Sequence, residues 1–304
     1  MEFRPIGLGD APLIRRLFSE DPPSVADLSF SYEFAHSRTG CNAARFAQTA
    51  GCGIFRWRES GETRFSIPFG RGDVRLALAE LAVHCRERAL SFVLMDVPEP
   101  FARSFRDLLP GEYSIEEDRD EFDYVYRRED LANLVGRHYQ DRRRMIHRFE
   151  DGGPWAYEQI SDANIDVCRE ILAEWLRYKL ADSPAASDHL DDDISALRAV
   201  FDNYGALGMV GGVLRQRGRP VAFAMGEPLN DRTMLVAFER ALPSVRGASA
   251  MINREFVRRH CDGFELVNRT CDGGDEGLRK VKLEYRPVRF ERKFLIRGVP
   301  CLQP

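Results

Sequence analysis

Apolar positions along this chain follow two rhythms: the three-to-four-residue spacing of a helix with one buried stripe, and the short apolar run or two-residue alternation of a strand. In the first half the pattern predicts a strand over 3–6 and a helix over 11–19, with Asp10 as its cap and Pro12 in its first turn. A second helix covers 29–37, and strands over 53–58 and 63–67 flank the turn Glu59-Ser60-Gly61-Glu62. Val74, Leu78, Leu81, Ala82 and Cys85 recur at helical spacing behind Gly72-Asp73, and 91–97 reads as a buried strand. A helix over 99–108, a stop at Pro110-Gly111 and a strand over 122–127 complete this half.

The second half repeats the theme. A strand over 155–160 precedes a helix capped by Ser161, with Ile165, Cys168, Ile171, Leu172 and Trp175 on one face, and another helix covers 191–204. Three extended runs, 209–215, 220–227 and 233–240, are separated by turns at Gly218 and Asn230-Asp231, which predicts an antiparallel meander. A helix over 249–260, a strand over 264–267, a helix over 275–283 and a last strand over 288–296, closed by Gly298 and Pro300, finish the chain. This order resembles a GCN5-related N-acyltransferase domain, and the first half resembles a degenerate copy of it. The resemblance implies an α+β (mixed α/β) protein with two tandem acyltransferase-like domains, each a mixed, mostly antiparallel sheet flanked by helices. The expected boundaries are 1–128 and 154–304, with a basic helical connector over 129–153.

Composition narrows the function classes. With 304 residues, 44% hydrophobic and 30% charged, the chain has material for two cores, and a net charge of −4 excludes a globally basic nucleic-acid coat. Among the 44 basic residues only Lys179, Lys280, Lys282 and Lys293 are lysines. That arginine excess suits bidentate carboxylate or phosphate contacts, or reflects GC-rich coding. No apolar stretch approaches the roughly 20 residues that span a bilayer, and the N-terminus lacks a signal-peptide pattern, so a cytoplasmic location is expected. Cysteines at 41, 52, 85, 168, 261, 271 and 301 form no Cys-x-x-Cys pair, which predicts reduced and mostly buried thiols. The neighbours His84-Cys85 and His260-Cys261 point apart on a helix, and no metal site is expected.

The block from Asn268 to Tyr285 carries the most specific signal: Asn268-Arg269, Asp272, Gly274, Glu276-Gly277-Leu278-Arg279-Lys280, Lys282 and Tyr285. Phe122 to Tyr126, Gly136 to Phe149 and Ile252 to Phe256 support it. These segments resemble the phosphatidylglycerol lysyltransferase C-terminal domain family, including its stand-alone members. The resemblance implies a tandem acyltransferase fold and, for the lipid-modifying members, transfer of an amino acid from aminoacyl-tRNA to a lipid hydroxyl. The sequence carries no counterpart of the membrane domain of the full-length proteins, and Thr270-Cys271 stands where acidic residues are expected.

Acyl transfer needs a held carbonyl donor, hydrogen-bond donors for the oxyanion and a route for the acceptor proton, with no covalent nucleophile. Neither a Gly-x-Ser-x-Gly elbow nor a Cys-His arrangement is evident. Glu239, at a strand end beside the fork of such a fold, is the first candidate for the proton or a substrate ammonium; a surface pair with Arg240 or Arg246 is the alternative. Asp272 and Glu276 are expected to join it as catalytic acids, with Asn268, Arg269, Arg279, Lys282 and Tyr285 binding substrate. The spacing of Glu276 from Arg279 and Lys280 equally suits helix salt bridges. Arg246, Gly247 and Ser249 open a helix whose free N–H groups could hold phosphate, the junction that cradles coenzyme A in the GCN5-related fold, or simply start the helix. The connector, from Gly136 to Phe149, carries Arg137, Arg142, Arg143, Arg144 and Arg148 against Asp141 alone. Arg142 and Arg143 are the candidate contacts to tRNA or coenzyme A phosphates or to anionic lipid; pairing with the acidic run Glu116 to Glu121 is the alternative. The sequence identifies no certain cofactor; acyl-CoA and aminoacyl-tRNA are the candidate donor substrates. Acyl or aminoacyl transfer to a lipid or small molecule is the leading expectation, followed by acyl-CoA-dependent N-acylation of a small amine, then by a binding module without turnover.

Overall fold

A computed structural model describes residues 1–38, 43–59, 61–182 and 188–301; Cys41 and Ser60 lie outside them. The chain forms two compact units. The first holds Met1–Asp123, Cys271–Asp275 and Phe290–Pro304, the second Tyr124–Thr270 and Glu276–Arg289. Each contains one seven-stranded mixed sheet, as expected of a mixed α/β protein with acyltransferase-like units.

The first unit begins with β1 (Arg4–Pro5), α1 (Ala11–Glu20), α2 (Phe30–His36) and β2 (Arg45–Thr49). It continues with β3 (Cys52–Glu59), β4 (Glu62–Phe65), α3 (Val74–Glu87), β5 (Phe92–Pro98), α4 (Glu99–Leu108) and β6 (Gly111–Glu117). Ser29 and Asp73 cap α2 and α3 by accepting from Tyr32 N and Leu76 N. Asp10 makes no such bond: its carboxylate accepts from Arg4 and from Gly7 N instead. Phe18, Phe46, Phe55, Phe65 and Phe69 fill the core, with the Phe55 and Phe69 ring centres 4.8 Å apart.

The next elements are β7 (Asp123–Arg127), α5 (Arg128–Asn133), α6 (Gln140–Asp151), β8 (Trp155–Gln159), α7 (Asp166–Asp182), α8 (Asp188–Asp202) and α9 (Tyr204–Leu207). They lead into the meander β9 (Val210–Gln216), β10 (Arg219–Asn230) and β11 (Thr233–Ala241), followed by α10 (Ala248–His260) and β12 (Leu266–Asn268). The chain closes with α11 (Glu276–Glu284), β13 (Arg289–Glu291) and β14 (Lys293–Pro300). The first meander turn places Arg217 at φ 52° and Gly218 at φ 78°, the left-handed pair that joins antiparallel strands without splaying them. Ser161 does not cap α7; its N–H donates to Asn164 Oδ1 at 2.7 Å and the helix begins later, at Asp166.

Strand order explains where the units divide. The first sheet runs β1-β2-β3-β4-β5-β14-β6 and the second, from its other end, β8-β9-β10-β11-β12-β7-β13. Position by position the two orders match, including a parallel pair, β4 with β5 and β11 with β12. The sixth place in each sheet is taken by a strand from across the chain: β14 sits between β5 and β6, and β7 pairs with β12. The expected last strand therefore differs from the observed one. It is broken at Arg292, it runs through Gly298 to Pro300, and its second part completes the first sheet instead of the second. The compact units accordingly differ from the boundaries expected near 128 and 154.

Candidate active site

The parallel pair of the second sheet stays together for three residues, Thr233 to Leu235 against Leu266 to Asn268. Beyond them β11 carries one extra residue relative to β10, because Gly226 faces Val236 while Met225 faces Phe238. This bulge at Ala237 bends β11 and ends its pairing with β12. Gly226 fits the bend because a Cβ there would lie 2.1 Å from Leu235 O. A fork opens, with Glu239 on one strand and Arg269 just past the end of the other.

Glu239 and Arg269 meet. Arg269 Nη2 donates to Glu239 Oε2 at 3.1 Å, and Asn253 Nδ2, from the buried side of α10, donates to the same oxygen at 3.3 Å. Ser249 Oγ lies 3.4 Å from Oε1. The Arg269 guanidinium lies 4.9 Å from the centre of the Tyr285 ring and 5.8 Å from that of Tyr126. Burial opposes its charge, yet Glu239 and the two phenols hold its pKa above the ordinary arginine value. Burial pushes the Tyr126 and Tyr285 hydroxyls up as well. Arg269 Nη1 and Asn253 Oδ1 are buried without a hydrogen-bond partner among the described residues, one donor and one acceptor tied to a single carboxylate.

The backbone around Arg269 is fixed by its neighbours. Thr270 has φ 57°, a sparsely populated region for a β-branched residue. Its N–H donates to Asn268 Oδ1 at 2.8 Å, and buried Lys282 donates to Arg269 O at 2.5 Å and Thr270 O at 3.0 Å. Lys282 therefore serves carbonyls here and lies 5.4 Å from the Tyr124 ring centre. Tyr285 anchors the far side, where Arg142 stacks over it at 5.2 Å and pairs with Glu284.

The other expected site residues are placed elsewhere. Asp272 belongs to the first unit, where it pairs with Arg119 at 3.4 Å and accepts from Gly274 N at 3.0 Å. Glu276 is exposed at the start of α11, and Arg279 is half-buried on the same helix. Arg143 turns inward to Leu134 O and Gly136 O, while Arg246 is exposed. Gly247 has φ 83°, and a Cβ on it would lie 2.0 Å from Met145 O, so a glycine is needed there for α6 to pack against α10. Glu239 pairs with neither Arg240 nor Arg246; Arg240 pairs with Asp193 and lies over Trp175 at 4.9 Å. Asn253 and Tyr126 were not expected at the site. The signal for Asn253 was an amide on the helix face otherwise formed by Met251, Ile252, Phe256 and Val257.

Comparison with known proteins agrees with this architecture. A conserved protein of unknown function from Bacteroides thetaiotaomicron is 31% identical, with a TM-score of 0.89 over 98% of this chain and 99% of that one. L-PGS from Bacillus licheniformis is similar in fold at 14% identity, with a TM-score of 0.65 over 95% of this chain and 92% of that one. FemX shares the fold at 10% identity, with a TM-score of 0.56 over 100% of this chain and 98% of that one. No curated protein matches the sequence. No helix among the described residues is long and apolar enough to cross a membrane. The family described as phosphatidylglycerol lysyltransferase, C-terminal, matches residues 30–297, and the chain belongs to that family.

Proposed function

We propose that the fork of the second unit transfers an acyl group, specifically the aminoacyl group of an aminoacyl-tRNA, to a hydroxyl or amine acceptor without a covalent enzyme intermediate. The observation that carries this reading is the Glu239 carboxylate bound to two groups that each keep an unused hydrogen-bonding atom, Arg269 Nη1 and Asn253 Oδ1. A carbonyl oxygen accepts from Arg269 Nη1, and the same contact strengthens as that oxygen becomes an oxyanion. The α-ammonium of an aminoacyl donor suits Asn253 Oδ1 and the Glu239 carboxylate. The acceptor O–H or N–H adds to the carbonyl carbon and its proton passes to Glu239. As the intermediate collapses, the ester C–O bond breaks and the leaving ribose oxygen takes that proton back.

Exposed Arg137, Arg144 and Arg148 of the connector suit the RNA phosphates better than Arg142 and Arg143, whose guanidinium groups are engaged within the unit. The coenzyme A reading has less support, since the conformational freedom of Gly247 serves helix packing. Incubation with charged tRNAs and a panel of lipid and amine acceptors, with products identified by mass spectrometry, tests the proposal. Glu239→Gln, nearly isosteric, should slow transfer by about 10²–10³-fold, the usual cost of losing one such catalytic contact. Undiminished transfer in this variant, or turnover of acyl-CoA in place of aminoacyl-tRNA, would count against it.

A further inference from the structure

At the opposite end of the second sheet, four adjacent strand ends line a cleft of about 550 Å³. Arg127 ends β7, Arg128 follows it, Arg232 stands in the β10–β11 turn and Arg289 begins β13. Phe264, Leu266 and Val288 supply an apolar wall. Six residues of extended chain separate Thr233 from Glu239, so the Arg232 side of the cleft lies about 20 Å from the Glu239 carboxylate.

Three features of the cleft point to an anion. First, β7 and β13 are neighbours about 4.8 Å apart and β11 lies two strands from β7, about 9.6 Å, spacings that long arginine side chains bridge from either side of one ligand. Second, the backbone is fixed there: Arg128 N donates to Glu265 O at 2.9 Å, and Arg232 O accepts from both Glu265 N and Leu266 N at 3.0 Å. Third, positive charge is in excess, with only Glu129 and Glu265 among the lining acids. Two pairs already form, Arg232 with Glu265 at 2.5 Å and Arg128 with Asp262 at 3.2 Å. Their carboxylates are 62% and 89% exposed, and such surface pairs contribute about 0–1 kcal/mol, little against a multiply charged ligand. Arg128 Nε stays buried without a hydrogen-bond partner among the described residues. Like charges gathered at one end of a sheet oppose one another, a local cost that marks a functional place more often than a structural one.

We propose that this cleft binds a nucleoside phosphate, with the phosphates on Arg127, Arg128, Arg232 and Arg289 and the base against Phe264. The volume lies within the roughly 300–1,000 Å³ of small-molecule sites, and the combination of charged rim and apolar wall matches a ligand with a dianionic end and a flat apolar end. The inference is independent of the transfer reaction.

Titration calorimetry of the full chain with ADP, adenosine and inorganic phosphate at low salt tests it. ADP should bind more tightly than either fragment, and added salt should weaken it. Arg127→Ala and Arg232→Ala, both at exposed positions, should each weaken ADP about tenfold, the loss of one charge-assisted contact. Glu239→Gln should leave ADP binding unchanged. Absence of ADP binding, inorganic phosphate binding as tightly as ADP, or binding that survives both arginine substitutions would overturn the proposal.

Discussion

The two forks use the same backbone and opposite electrostatics. In each, the chain turns into positive φ two residues past the last parallel pair: Asp96 at 52° after Leu94, and Thr270 at 57° after Asn268. In the second unit the space beyond holds a Glu239–Arg269 couple that is part-exposed and keeps unused hydrogen-bonding atoms. In the first it holds Lys293, which is fully buried, pairs with Asp27 and lies 3.0 Å from Asp123. Burial opposes the charge of Lys293, but Asp123, Asp27 and Asp96 hold its pKa well above the ordinary lysine value. Around it burial raises Glu33, Asp96 and Glu121, and Glu33 accepts from Trp57 Nε1 at 2.9 Å. The first fork gathers a fully buried lysine among several acids, whereas the second holds one part-exposed acid–arginine pair with Arg269 Nη1 and Asn253 Oδ1 left over. The difference teaches that duplicated architecture divides labour by which side chains fill the gap.

The contrast can be broken at β14. A chain ending at Glu291 keeps β13 but removes the strand between β5 and β6, and should abolish cooperative unfolding of the first unit. With Trp155 and Trp175 replaced by Phe, Trp57 fluorescence in urea reports that unit alone; a preserved transition would show that the strand is dispensable. Next in size, Lys293→Met leaves Asp27 and Asp123 without their cation and should cost about 3–5 kcal/mol in urea unfolding, the penalty for breaking a buried pair. A cost below about 1 kcal/mol would remove the distinction between the forks.

A smaller effect is expected from pH. Glu33 and Asp96 keep their protons in the folded state, above the ordinary values of 4.5 and 3.8 at which the unfolded chain releases them. Their contribution is full below those values and declines as pH rises through the folded ones, and Lys293 adds a further loss on the alkaline side. The urea midpoint should fall as pH rises above those ordinary values, and Asp96→Asn should flatten that limb. His84 has the opposite sign: burial lowers it from 6.5 to about 4, so its contribution, present above 6.5, is lost as pH falls. His84→Leu should make the acid limb shallower. An unchanged slope in either variant would assign the pH dependence to other groups.

Much of the local structure was legible in the residues. Ser29 and Asp73 cap helices as their sequence positions predict, accepting from Tyr32 N and Leu76 N. Asp10 has the same chemistry, but Arg4, six residues earlier, takes its carboxylate. The strand β6 was hidden because Tyr113 and Ile115 alternate within an acidic run that reads as solvated surface. At the candidate site Glu239 and Arg269 were legible as residues, but their pairing was not. Asn268 to Tyr285 reads as one polar block, yet residues 271–275 belong to the first unit and the flanking residues to the second. Asp272 thus falls in a different unit from Glu239, a division that no spacing reveals.

Periodicity, turn residues and caps determined the kinds of element, their order and the likeness of the two halves, because each depends on interactions within a few residues. Tertiary structure decided that β14 completes the first sheet and β7 lies within the second, and that Arg269 reaches Glu239 across the fork. The physical reason is that side-chain alternation fixes which face of a strand is buried, while the backbone groups that join it to a neighbour are the same in every residue but proline. The choice of neighbour rests on packing over the whole sheet.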